Sequence, residues 1–203
     1  NVTALDIPLI KETFIQLINE RNAVVPVFNF MTGKREEKGN PIHLDENDVI
    51  IVEGIHALNP VITQGIDANH IYKVYISVSS RFTDTHSNIL LKKSNIRFIR
   101  RLIRDYHFRS SSVENTCFLW SGVLKGEDEF IFPYKNQSDE FINSIHPFEE
   151  SIYKKEAIKL FEHIDEKSPY YDFINTLCVA LKQFEDSDLS LLPEDSLLWE
   201  FAG

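Results

Sequence analysis

Nine residues from Asp48 to His56, Asp-Val-Ile-Ile-Val-Glu-Gly-Ile-His, constrain this chain more than any other stretch. Val49, Ile50, Ile51 and Val52 are consecutive β-branched apolar residues, which pack well on a pleated surface and lose rotamer freedom in a helix. The run predicts a strand buried on both faces, as in a parallel sheet, with Gly54 closing it. Ligands of open α/β sheets bind outside the carboxyl ends of the strands, so Glu53 is the first candidate for chemistry. The competing reading is a core strand that ends in a solvated glutamate.

The surrounding pattern alternates strands and helices. Residues 5 to 20 place Ile7, Ile10, Phe14, Leu17 and Ile18 at helical spacing, with Asp6 as N-cap and Pro8 in the first turn. Val24 to Phe30 reads as a strand, edge-like because of Pro26, followed by a turn at Thr32-Gly33-Lys34-Arg35 and a return through Pro41 to Leu44. Beyond Glu53, Asn59-Pro60 signals a turn or short helix, and Ile71 to Val78 is a second strong strand. Residues 81 to 95 are polar and show no clear period. From Arg97 to His107 the helical period returns, at about 100° per residue. Arg97, Arg100, Arg101 and Arg104 fall on one stripe, with Ile99, Leu102, Ile103 and Tyr106 opposite.

Ser111-Ser112-Val113-Glu114 matches a capping box with Ser111 as N-cap, opening a helix expected to stop near Gly122. Gly126 to Glu129 is expected to break the pattern, and Phe141 to Ile145 to form a short third strand. Helices are expected over residues 147 to 164 and 169 to 184, and a last short one over 193 to 201. This is an α/β chain without repeats or low-complexity tracts.

Composition excludes the less common classes. No apolar run approaches the roughly 18 residues that cross a bilayer, and the N-terminus carries no signal-peptide pattern, so a cytoplasmic location is expected. Cys117 and Cys178 form no C-x-x-C pair and are too few for a disulfide framework. The net charge of −10 argues against general nucleic-acid binding. Charge is nevertheless concentrated: seven cations from Lys92 to Arg109 face the single Asp105, a local +6 on a remainder of −16. RNA binding through residues 92 to 109 is the weakest of the readings that this patch allows.

No zinc-type histidine spacing, nucleophile elbow or local cysteine signature is present. Two features survive, Glu53 and the arginine stripe. Phosphoryl transfer uses both kinds of group, because a carboxylate at a strand end can hold Mg²⁺ or its waters and guanidinium groups offset charge on the phosphoryl oxygens. A solvated helix face is the alternative for the stripe.

Four separated stretches, in order, resemble the uridine kinase and phosphoribulokinase family, and bacterial uridine-kinase-like nucleoside kinases in particular. They are Asp48 to Pro60, Arg100-Arg101-Leu-Ile-Arg104-Asp105-Tyr106 on to Phe108-Arg109, Gly126-Glu127, and Ile131-Phe132-Pro133-Tyr134. The resemblance implies a P-loop NTPase-type α/β/α three-layer sandwich with a parallel sheet, incomplete at its N-terminus. It implies a kinase domain over residues 1–165 with a lid at about 97–135, and a helical C-terminal extension over 166–203. The implied activity is ATP-dependent phosphorylation of a nucleoside hydroxyl. Nucleoside and ATP are the implied partners, Mg²⁺ the implied cofactor, and a homo-oligomer is compatible with it.

By resemblance, Glu53 is the metal-side carboxylate, and Arg104, Arg109 and Lys125 are the catalytic cations of the lid. Arg97, Arg100 and Arg101 bind ATP phosphates, while Phe28, Phe30 and Arg35 line the nucleoside. Three departures stand out. Gly33 occupies the position of a base-reading histidine. The lid motif appears as Trp120-Ser121-Gly122-Val123-Leu124-Lys125-Gly126-Glu127, with one arginine lost and Lys125 in place of the other. No G-x-x-x-x-G-K-S/T is present; around Gly33-Lys34, Phe28 and Arg35 stand where the first glycine and the hydroxyl would be. Residue 1 therefore reads as a mid-domain start. The family's central strand would fall outside the chain, leaving the strands at 49–53 and 72–78 with unpaired edges and the chain alone inactive. A non-catalytic relative that binds a phosphorylated ligand or partner is the alternative.

Overall fold

The computed structural model describes residues 2–29 and 32–202. Helix α1 (Ile7–Glu20) starts where expected, because the Asp6 side chain accepts from the Leu9 N–H at 3.2 Å, and Pro8 lies in the first turn, where no N–H is needed. It ends at Arg21, in the left-handed region at φ 56°. The expected strand at 24–30 divides around Pro26 into β1 (Asn22–Val25) and β2 (Phe28–Asn29), since proline has no N–H to offer a ladder. β3 (Lys34–Arg35) pairs antiparallel with β2, and β4 (Asn40–His43) with β1. Gly39 makes this return possible: a Cβ there would sit 2.6 Å from the Val25 carbonyl oxygen.

The organising stretch departs from expectation. Residues 48–53 form no strand, and Val49 and Ile51 are 82% and 89% exposed. A run of β-branched residues becomes a buried strand only when neighbours pair its backbone, and no strand of the described residues does so. Helix α2 (Pro60–Thr63) follows, capped by Asn59.

β5 (Val74–Ser77) realises the second predicted strand. Residues 81–95, expected to be irregular, contain a hairpin of β6 (Phe82–Thr83) and β7 (Ile89–Leu91). Its turn is set by Asp84, whose carboxylate accepts from His86 N, Asn88 N and Asn88 Nδ2, each at 2.8 Å. α3 (Lys93–Arg109) begins four residues earlier than the arginine pattern suggests, with Asn95 Oδ1 accepting from Lys92 N at 2.8 Å.

α4 (Val113–Phe130) corrects two expectations. Its N-cap is Ser112, whose Oγ accepts from Asn115 N at 3.1 Å, rather than Ser111. The helix also continues through Gly122 and Gly126, because the propensity cost of each glycine, about 1 kcal/mol, is outweighed by burial of the apolar side chains Val113, Cys117 and Trp120. α5 (Phe132–Lys135) and β8 (Glu140–Asn143) come next, then α6 (Glu149–Phe161), α7 (Tyr171–Leu181) and a 3-10 turn over Leu197–Phe201. β5 and β8 form a parallel pair, with Glu140 N donating to Lys73 O and Ser144 N to Ser77 O. The chain is thus α/β, with this parallel pair formed and the strand at 49–53 not formed.

The chain divides into two compact units, Asn1–Tyr75 with Gly126–Glu140, and Ile76–Lys125 with Phe141–Gly203. In the first, α1 packs on β1 and α2, burying Leu17, Ala23 and Ile62. In the second, Ile96, Phe98, Ile99, Leu102 and Ile103 of α3 pack with Tyr153 and Leu160 of α6, Leu177 and Leu181 of α7, and Leu198. No helix among the described residues is long and apolar enough to cross a membrane.

Candidate functional site

The first unit holds the nucleoside-side candidates and Glu53. Antiparallel register sets Phe28 opposite Arg35 across β2 and β3. Arg35 Nη2 reaches Asp6 Oδ2 at 2.7 Å, so one carboxylate both caps α1 and fixes the guanidinium. That hydrogen bond, and then the one from Leu9 N, holds the Asp6 carboxyl below its ordinary range. The turn between the strands places Gly33 at φ +66°, and Asn29 accepts from Gly33 N and, through Oδ1, from Thr32 N. A half-exposed aromatic ring beside an oriented guanidinium can cover a ring and hydrogen-bond its polar edge. Phe30 lies outside the described residues.

Glu53 is exposed at the end of the unpaired ribbon, just before Gly54 turns the chain at φ +153°. Mg²⁺ is usually held by one or two carboxylates, with waters and phosphate oxygens completing the octahedron, so a single accessible glutamate fits that donor set. Among the described residues no three acidic, histidine or cysteine side chains gather as a metal cluster. His56 is the residue that sequence reasoning passed over. It is buried, its Nδ1 has no hydrogen-bond partner among the described residues, its ring meets Phe130 edge-on at 6.2 Å, and burial lowers its pKa. Only its place two residues beyond Gly54 could have signalled it.

The second unit holds the arginines. The pattern predicts a row of guanidinium groups opposite a packed face; instead that row is itself partly buried, and Arg100, Arg101 and Arg104 are matched by carboxylates. Arg97 lies over the Trp120 ring at 5.8 Å. Arg100 Nε donates to Glu149 Oε2 at 2.6 Å and Nη2 to the Ser144 carbonyl at 2.7 Å, with the guanidinium 5.6 Å above the Phe201 ring. Asp105 sits between two arginines on its own helix. Arg109 Nη1 donates to it at 2.9 Å, whereas Arg101 Nε lies 3.0 Å away as an ion pair without hydrogen-bond alignment. Arg104 meets Glu200 loosely, at 3.5 Å. Side-chain exposure rises along the helix, from 12% at Arg100 through 25% at Arg101 and 35% at Arg104 to 52% at Arg109. Lys125 is exposed on α4.

Beside the Arg100 pair lies a second buried carboxyl. Glu150 Oε1 accepts from the Tyr153 hydroxyl at 3.0 Å, and Oε2 has no hydrogen-bond partner among the described residues. Burial, and then the neighbouring Glu149 charge, push the Glu150 pKa up to about 8.

The chain therefore carries an accessible glutamate after a β-branched run and an aromatic–guanidinium hairpin in its first unit, and an arginine-bearing helix in its second. Comparison with known proteins gives the family. The Phosphoribulokinase / Uridine kinase family matches residues 1–149, and the chain belongs to it. Uridine kinase from Lactobacillus johnsonii (strain CNCM I-12250 / La1 / NCC 533) is 34% identical over 137 residues, covering 67% of this chain and 56% of that protein. Uridine kinases from Lactobacillus helveticus (strain DPC 4571) and Bacillus pumilus (strain SAFR-032) are 30% and 28% identical, with the same shares covered. The chain thus spans about half the length of these relatives. No solved structure matches it.

Proposed function

We propose that these residues form part of a uridine-kinase-type phosphotransferase, which moves the γ-phosphoryl group of ATP to a nucleoside hydroxyl and releases ADP and a proton. Family membership supports the reaction class, and the observation that carries the assignment to this chain is the graded arginine series on α3. Its more accessible members, half-buried Arg104 and exposed Arg109, with Lys125, are the cations we assign to the transferred phosphoryl group. Arg97 and Arg101 are assigned to the nucleotide phosphates. Arg100 shares that expectation but already has both its carboxylate and its carbonyl acceptor, so it is assigned to holding α3 on α6. Phe28 and Arg35 are assigned to the nucleoside, which would stack on the ring and meet the guanidinium; Phe30 is assigned with them from the family pattern alone.

Glu53 would hold Mg²⁺, which neutralises charge on the phosphate oxygens when bound. The 203 residues contain no G-x-x-x-x-G-K-S/T, so transfer requires a phosphate-cradling loop supplied from outside them. With labelled ATP and uridine or cytidine, this chain alone is expected to give no turnover; robust phosphorylation would overturn that assignment of parts. Titration with ATP and Mg²⁺ tests the site itself. Glu53→Ala and Arg104→Ala are each expected to weaken binding by about fivefold or more, as loss of a charge-assisted contact does. Unchanged binding in both would favour a second reading, a non-catalytic domain for a phosphorylated ligand or partner, which the altered lid motif supports, with one arginine lost and Lys125 in place of the other.

A further inference from the structure

We propose a second anion site, for a small organic diphosphate or triphosphate, in the concavity where the chain leaves β5, passes the β6–β7 hairpin and enters α3. Ser79, Ser80, Arg81, Ile89, Lys92 and Lys93 line it, and its volume is about 740 Å³. Three cations and no carboxylate face one hollow on a chain of net charge −10. The contrast with the α3 arginines is informative. Arg100, Arg101, Arg104 and Arg109 each have a carboxylate, whereas Arg81 and Lys92 have no side-chain partner among the described residues. The hairpin's own acid, Asp84, is committed to three hydrogen bonds within its turn.

The floor of the hollow is fixed in place. Asn143 Oδ1 accepts from Ser79 N at 3.0 Å, and Asn143 Nδ2 donates to Ser80 Oγ at 2.7 Å. That bond leaves the Ser80 hydroxyl proton to donate inward, beside the Arg81 fork and the Lys92 ammonium. Such a donor set matches adjacent phosphates, and the volume leaves room for an organic body beyond them. The cations are confined to one concavity rather than spread along a groove, which favours a small ligand over RNA. The site is separate from the proposed transfer cations, since Lys93 and Arg109 are the two ends of a 17-residue helix, about 24 Å apart at 1.5 Å per residue, and Arg97, one turn from Lys93, lies over the Trp120 ring and is not among the lining residues. It stands whether or not the chain belongs to a kinase.

The test is titration with inorganic pyrophosphate at fixed salt, followed by calorimetry and by amide resonance shifts, with a single-stranded RNA oligonucleotide as competitor. Arg81→Ala and Lys92→Ala change exposed residues, and circular dichroism checks that each variant is folded. Each is expected to raise Kd about tenfold, the equivalent of one charge-assisted contact, with shifts centred on residues 79–93. Arg81→Lys is expected to recover part of the loss. The proposal is overturned if the double variant binds as the unmodified chain does, if the shifts centre on residues 97–109, or if RNA displaces pyrophosphate and binds more tightly.

Discussion

Arg100 Nε lies 2.6 Å from Glu149 Oε2, and Glu149 has no exposure to solvent. The carboxylate's other oxygen accepts from His146 N at 3.2 Å, just before α6, so the pair ties the middle of α3 to the first turn of α6. A buried pair of this kind is weak evidence of net stability but is costly to break from one side.

Glu149→Ala is therefore expected to destabilise the second unit by about 3–5 kcal/mol, because it strands the Arg100 charge. Replacing both partners, Arg100→Met with Glu149→Leu, should cost far less, since no charge is left behind. Urea unfolding of the single and double variants measures the difference, and equal losses would show that the packing matters rather than the charge.

Glu150 gives stability a pH dependence of unusual sign. Its folded pKa is raised to about 8 against an ordinary 4.5, so between those values the unfolded chain releases a proton that the folded one keeps. Stability is then full below 4.5 and falls as pH rises towards 8, by at most about 1.4 kcal/mol per pH unit. Glu150→Gln should flatten that slope, which unfolding midpoints measured across the window would detect.

His56 acts in the other direction. Burial lowers its pKa below the ordinary 6.5, so as pH falls through 6.5 the unfolded chain takes up a proton that the folded one refuses, and stability drops. His56→Phe should remove this acid limb, and an NMR titration of the imidazole should give a midpoint below that of a free histidine. A normal midpoint would show that the ring is solvated.

The α4 cap distinguishes neighbouring serines. Ser112→Ala should cost about 1 kcal/mol, since its Oγ accepts from Asn115 N, and Ser111→Ala clearly less. The reverse order in thermal unfolding would restore the cap to the position the sequence pattern favours.

The elements legible in the sequence are those held by local chemistry. Asp6 announces α1, the apolar period announces α3, α6 and α7, and the alternation from Ile71 announces β5. What escaped depends on distant partners. Whether Val49 to Val52 form a strand is decided by the strands beside them, and the hairpin at 82–91 depends on Asp84 folding its turn rather than on an apolar pattern. The arginine stripe was legible as a pattern but not as a charge state, because Glu149 and Glu200 lie 49 and 96 residues from the arginines they meet. Of the candidate site, the Phe28–Arg35 pairing follows from the turn at Gly33, whereas the clasp on Asp6 spans 29 residues.

The ribbon at residues 48–53 has one more consequence. A protease binds its substrate as an extended strand with free backbone groups, and this segment already has that form, with apolar side chains turned to solvent. Cleavage of these residues at 48–53 is expected to need no unfolding of the core around Tyr153, and limited proteolysis that cut elsewhere first would contradict this.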